Sequence, residues 1–201
     1  MTKTNKKIQQ LAITSVLGAV VVIVSFLPLK TMGLEISFAM VPVAIGAILY
    51  GPFVGAILGG IFGIVSFLQC LGYSAFGVLI LTESLPLTLI VCIPTRILAG
   101  LLTGLIFKWI NSTKSKSIKE LAFPIASLIA PLLNTIFFMG ALVALFFKGD
   151  TLQGFAEVLG TFNPFLFIIL FVGINGLVEI IAGFVVAYPV TRALSKFANK
   201  M

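Results

Sequence analysis

Residues 47–64 read AILYGPFVGAILGGIFGI, an uncharged run interrupted once, at Gly51-Pro52. Proline lacks the N–H that a continuing helix needs, and glycine takes turn conformations that other residues avoid. The pair therefore ends one apolar helix and starts the next, a tight hairpin with no polar loop. From the turn onward Gly51, Gly55, Gly59 and Gly63 recur every four residues, which places them along one helix face. A face of small residues lets a second helix backbone approach closely, the main source of attraction between helices in lipid. The stripe reads as packing inside a membrane bundle.

Working outward, the rest of the chain has the same character. Of its 201 residues 60% are hydrophobic and 9% charged, and the mean hydropathy is +1.22. Such a chain is an all-α integral membrane protein. Runs suited to crossing about 30 Å of hydrocarbon fall at 8–29, 38–50, 52–69, 84–110, 118–147 and 162–197. They predict one transmembrane domain over 1–201, a bundle of six helices, of which the second is short. The first run follows Lys3, Lys6 and Lys7 in the manner of a signal peptide. It is too long for one and lacks a small-residue cleavage site, so it reads as a retained helix.

Basic residues set the expected orientation. Lys3, Lys6 and Lys7, then Lys108, Lys114, Lys116 and Lys119, then Arg192, Lys196 and Lys200 make up ten of the thirteen. A six-helix trace puts all three groups on one side. By the positive-inside rule that side is the cytoplasm, with both termini there, as in a multi-pass protein of the cell membrane. The net charge of +7 then reports topology and contact with anionic lipid headgroups, not binding of nucleic acid.

Several chemistries drop out. The chain has no histidine, hence neither the usual proton shuttle nor the commonest metal ligand; no metal site is expected. No glycine-rich phosphate loop with its lysine is present, so this chain does not hydrolyse nucleotide and needs no cofactor of its own. No nucleophile–base pair is evident, so an enzyme is not expected. A self-contained secondary carrier lacks the internal repeat common in that class. Cys70 and Cys92, assigned to different depths, read as small apolar fillers.

What remains is a set of polar residues inside apolar runs. Arg96 is foremost, because a guanidinium near the bilayer midplane costs about 3 kcal/mol on insertion scales and cannot shed its charge. It needs an anion, either Glu179 or an incoming solute. At 1.5 Å per residue, Arg96, Asn134 and Asn175 lie roughly 18–20 Å along their helices, at one level. Glu179 falls one turn from Asn175. The plain alternative is an internal Arg96–Glu179 network with asparagine bridges; the three residues at one depth favour a solute site. Residues 71–83, with Gly72 and Tyr73, are placed to cap it, and 30–37 to close it from the other side. On the first helix Thr14 and Gly18 lie one turn apart, with Ser15 and Ala19 beside them, a smooth face suited to a partner.

AILYGPFVGAILGGIFGI, with its aromatic-Gly-Pro turn and spaced glycines, resembles the substrate-binding S components of energy-coupling factor (ECF) transporters. The resemblance covers nearly the whole chain. It implies capture of a vitamin outside and toppling in the membrane to release it inside. It also implies docking through helix one on a transmembrane scaffold protein, EcfT, energised by two ATPase subunits. ATP is then used by those partners and not by this chain. The family's docking face is a plain alanine pair, whereas this chain offers Thr14/Gly18 and Ser15/Ala19, two registers. The stretches IPTRILAG (93–100) and PLLNTIFFMG (131–140) are most similar to the pantothenate-specific members. That likeness implies that the vitamin's carboxylate meets Arg96, flanked by Thr95. Its amide and hydroxyls would meet Asn134, Asn175, Gly72 and Tyr73. A different vitamin or another anionic solute is the alternative.

Overall fold

A computed structural model describes residues 3–27, 30–31, 34–35 and 38–198. The described residues form α1 (Lys3–Ser25), a two-residue antiparallel pairing of β1 (Lys30–Thr31) with β2 (Leu34–Glu35), α2 (Met40–Tyr50), α3 (Pro52–Gln69), α4 (Ala75–Glu83) and α5 (Leu85–Asn111). Then come α6 (Lys116–Phe146), α7 (Asp150–Val158), α8 (Pro164–Ala182), a π-helical turn (Gly183–Ala187) and α9 (Tyr188–Ala198). Among the described residues five segments are long and apolar enough to cross a membrane: Lys7–Ser25, Pro52–Gln69, Leu85–Asn111, Lys116–Phe146 and Gly176–Ser195.

Two expectations need adjustment. The hairpin stands where the Gly-Pro signal put it, with Gly51 at φ +96° and Pro52 opening α3; only glycine takes that backbone without strain. Its first arm, however, has eleven residues, about 16 Å at 1.5 Å per residue, too short to span the hydrocarbon by itself. The α2 arm is instead wrapped by other helices, and Met40 and all of 42–48 are buried. The last predicted helix is also not continuous. Gly173, at φ +40°, breaks α8, and a π-helical turn follows before α9.

The glycine stripe packs against α5, as its period suggests. An alanine methyl at Gly55 would collide with the Gly100 carbonyl, and one at Gly59 with the Arg96 carbonyl. At Gly63 a methyl would lie 2.8 Å from the Ile93 Cα, and one at Gly104 would lie 2.5 Å from the Pro52 Cα. Backbone-to-backbone contact along both helices fixes the height of α5 side chains relative to α3. Hydroxyls within the helices are satisfied locally, as lipid offers them no water: Thr14, Ser25 and Thr103 each donate to the carbonyl four residues back, a common helix solution.

Apolar packing divides into two clusters. One surrounds α2, with Val21, Val43, Ala44, Leu58 and Phe62. The other lies at the end of the bundle that carries α4 and α7, with Phe76, Ile80, Leu142, Phe146 and Phe167. Phenylalanine contacts knit the second: Phe76 meets Phe155 and Phe171, and Phe167 stacks on Phe171 at 5.0 Å. Near the opposite end, Arg192 of α9 pairs with Glu120 of α6 at 3.7 Å and lies over the Phe123 ring.

Candidate solute-binding site

A cavity of about 90 Å³ opens where the two clusters meet. Its walls come from the ends of α1 and α3, from α4, and from the middles of α5 and α6. Polar groups reach it in two helical stripes: Ser66 and Gln69 on α3 with Cys70 capping its end, and Cys92 and Arg96 one turn apart on α5. Ser25, Ser74 and the rings of Phe62, Phe76 and Phe138 complete the polar and aromatic lining.

Arg96 is the cavity's charge. It is 6% exposed, and its guanidinium carbon lies 4.7 Å from the centre of the Phe62 ring and 4.5 Å from that of Phe138. Desolvated contacts of this kind contribute up to about 2 kcal/mol. Nη1 donates to the carbonyls of Cys92 at 3.0 Å and Val91 at 3.3 Å. Pro94, inside α5, has no N–H to give the preceding turn and loosens the helix just there. Nε has no acceptor. The carboxylate of Glu179 on α8 is close enough to act on the guanidinium charge. A buried donor without an acceptor costs about 1–3 kcal/mol, more on a charged group, so the site gains from an anion that brings oxygens to that edge.

The other expected residues fall at varied distances from the cavity. Tyr73 is not among the residues that line the cavity; its hydroxyl donates to the Phe26 carbonyl at 3.0 Å and its ring meets Phe26 edge-on. Gly72 forms the preceding turn, at φ +147°. The segment drawn as a loose cap is largely the helix α4, whose first turn Ser74 caps by accepting from the Gly77 N–H. Thr95 is buried and its hydroxyl is held by the Val91 carbonyl. Asn134 is 8% exposed and lies outside the cavity wall; its amide oxygen is buried without a partner, as is the Ser127 hydroxyl on the same helix. The side chain of Asn175 and residues 32–33 and 36–37 of the 30–37 loop lie outside the described residues.

Two sets of residues differ from the sequence reading. Cys70 and Cys92 are not at separate depths: their sulfurs are 4.0 Å apart, because α3 and α5 run antiparallel and the glycine contacts bring the end of one beside the start of the other. The missed residues Ser66, Gln69 and Phe62 repeat at helical spacing with Cys70, a polar stripe on a glycine-rich helix, and that period was the available signal. Gln69 also ties the wall to α1, since its amide donates to the buried Ser25 carbonyl at 2.7 Å.

On α1 the two registers separate cleanly. Thr14 and Gly18 are buried, and a methyl on Gly18 would lie 2.9 Å from Ile61 Cδ1 of α3. Ser15 and Ala19 face outward.

Residues 9–191 match the family described as ECF transporter, substrate-specific component. The chain belongs to that family, and as such works with a substrate and with an ECF module. No curated protein matches the chain.

Proposed function

We propose that this chain captures a small carboxylate-bearing vitamin, pantothenate, from outside the cell. It then delivers the vitamin to the cytoplasm with a shared transmembrane scaffold and two ATP-hydrolysing partners, itself using no cofactor. The observation that carries the reading is the Arg96 guanidinium: buried, held over two aromatic rings, lining a cavity, with Nε lacking an acceptor. A planar fork of donors matches a carboxylate in geometry as well as charge. The solute's hydroxyls and amide have Ser66, Gln69 and Ser74 in the cavity wall as partners.

A cavity of about 90 Å³ holds a few waters, whereas sites for organic ligands measure roughly 300–1,000 Å³. Capture therefore requires the wall to part. The pieces placed to part are α4 and the end of α1, the latter held by Gln69 of α3 on the Ser25 carbonyl and by Tyr73, in the turn before α4, on the Phe26 carbonyl. Helix α1 serves the partner scaffold through its outward pair, Ser15 and Ala19.

Calorimetry of the purified chain with pantothenate and with its uncharged alcohol, pantothenol, tests the reading. Pantothenate is expected to bind and the alcohol to bind far more weakly. Equal affinity for the two would remove the carboxylate from the site, and binding of neither would remove the vitamin.

A second reading rests on Glu179. If that carboxylate holds Arg96 permanently, the arginine fixes helix register and the solute is recognised by the neutral groups alone.

A further inference from the structure

Cys70 and Cys92 are the chain's two cysteines, and solute capture makes no use of their sulfur chemistry. Both side chains are buried, both line the cavity, and their sulfurs stand 4.0 Å apart. The Cys70 thiol also donates to the Ser66 carbonyl at 3.3 Å, and the Ser66 hydroxyl reaches the Cys92 sulfur at 4.0 Å. Below them, α3 and α5 are as close as backbones come, with Gly63 against Ile93 and Gly59 against Arg96. That closeness matters, because a disulfide forms only where the two chains are already near each other. The sulfurs stand 4.0 Å apart, and a bond between them requires the side chains to close that gap to about 2.05 Å.

We propose that Cys70 and Cys92 are a reversible dithiol–disulfide site, oxidised by a peroxide entering the cavity. A cavity of about 90 Å³ admits molecules little larger than water. One sulfur, as thiolate, attacks a peroxide oxygen and becomes a sulfenic acid while hydroxide leaves with the electron pair of the broken O–O bond. The second sulfur attacks the first, the S–S bond forms and the sulfenic oxygen departs; with the two thiol protons, both oxygens leave as water. The sulfurs lose two electrons and the peroxide gains them. A dithiol reductant reverses the change. The bridge closes the chain around α4 and clamps α3, which already holds α1 through Gln69, to α5. The cavity wall is then fixed.

The test uses the full-length chain in detergent, treated with hydrogen peroxide, quenched, denatured with a maleimide and weighed intact. The untreated chain is expected to take one maleimide on each cysteine. The treated chain is expected to take none and to weigh two hydrogens less, and dithiothreitol to return it to the first pattern. Cys70→Ser is expected to abolish that bridged species. In parallel, the oxidised wild-type chain is expected to melt at a higher temperature than the reduced one, because a bridge across the intervening segment restricts the unfolded chain. Two maleimides after peroxide, or an oxygen added separately to each cysteine, overturns the site. A bridged chain that melts no higher than the reduced one overturns the clamp. None of these readouts depends on which solute the cavity takes.

Discussion

The Arg96 guanidinium carbon lies 4.5 Å from the centre of the Phe138 ring, across the gap between α5 and α6. Phe62 meets the same charge at 4.7 Å from α3. Three helices thus converge on one buried cation, each with a contact that has little directional demand. Ring faces stabilise the charge without consuming its N–H donors, and Nε, which has no acceptor, stays available to an oxygen ligand.

Phe138→Leu keeps apolar volume and removes the ring's electrostatics, so the charge stays buried with less to hold it. The empty protein is expected to lose about 0.5–2 kcal/mol, read as a lower melting temperature, with Phe62→Leu behaving alike. Unchanged melting in both variants would contradict the role given to the rings.

Gly59 and Gly60 are neighbours with opposite expectations. A methyl at Gly59 meets the Arg96 carbonyl, whereas one at Gly60 lies 3.5 Å from Ile97 Cγ1, an ordinary contact. Gly59→Ala must push α3 from α5 and is expected to cost about 1–3 kcal/mol. Gly60→Ala is expected to be neutral or slightly stabilising, since alanine favours a helix by up to about 1 kcal/mol over glycine. Thermal denaturation of the two variants decides; equal effects would mean the glycine contact carries no weight.

Helix α1 offers a comparison of the same kind. Ala19→Leu is expected to abolish uptake in cells while the purified chain still binds its solute, because the added bulk faces outward and holds a docked helix away. Gly18→Leu, by contrast, collides with Ile61 inside the bundle and is expected to lower stability as well. Normal uptake by Ala19→Leu would remove Ser15 and Ala19 from the docking face.

Orientation rests on the basic residues. In a cysteine-free background, a cysteine placed at Ser112, between α5 and α6, is expected to be labelled only from the cytoplasm. One placed at Thr151, in α7, is expected to react only from outside. Reversal of either breaks the positive-inside assignment.

Much of this architecture is legible in the sequence. Gly51-Pro52 places the hairpin, and the bounds 52–69 of α3 follow from the apolar run that begins at Pro52. Arg96 identifies the cavity because a buried guanidinium is costly enough to need a reason. Other features are tertiary. Depth counting along single helices put Cys70 and Cys92 apart, since it ignores the offset that glycine packing imposes on antiparallel neighbours. It also gave Asn134 a place beside Arg96, whereas Phe138, one turn on, is the α6 residue that meets the guanidinium. Level along a helix does not fix the direction a side chain faces. The break at Gly173 was hidden by the apolar residues on both sides of it.

The most direct test of the central claim replaces Arg96 with methionine, which fills similar space without charge. Solute affinity is measured by calorimetry beside the melting temperature of the empty protein. Losing one partner of a buried charged pair costs about 3–5 kcal/mol, and each 1.4 kcal/mol is about tenfold. Pantothenate binding is therefore expected to weaken by about a hundredfold or more. Arg96→Lys should restore only part of it, because a point charge lacks the fork. The empty Arg96→Met protein is expected to melt no lower than the wild type, since a desolvated charge has been removed. Undiminished pantothenate affinity in Arg96→Met would contradict the claim. So would a large fall in the melting temperature that Glu179→Gln reverses, for then Arg96 serves Glu179 and not a solute.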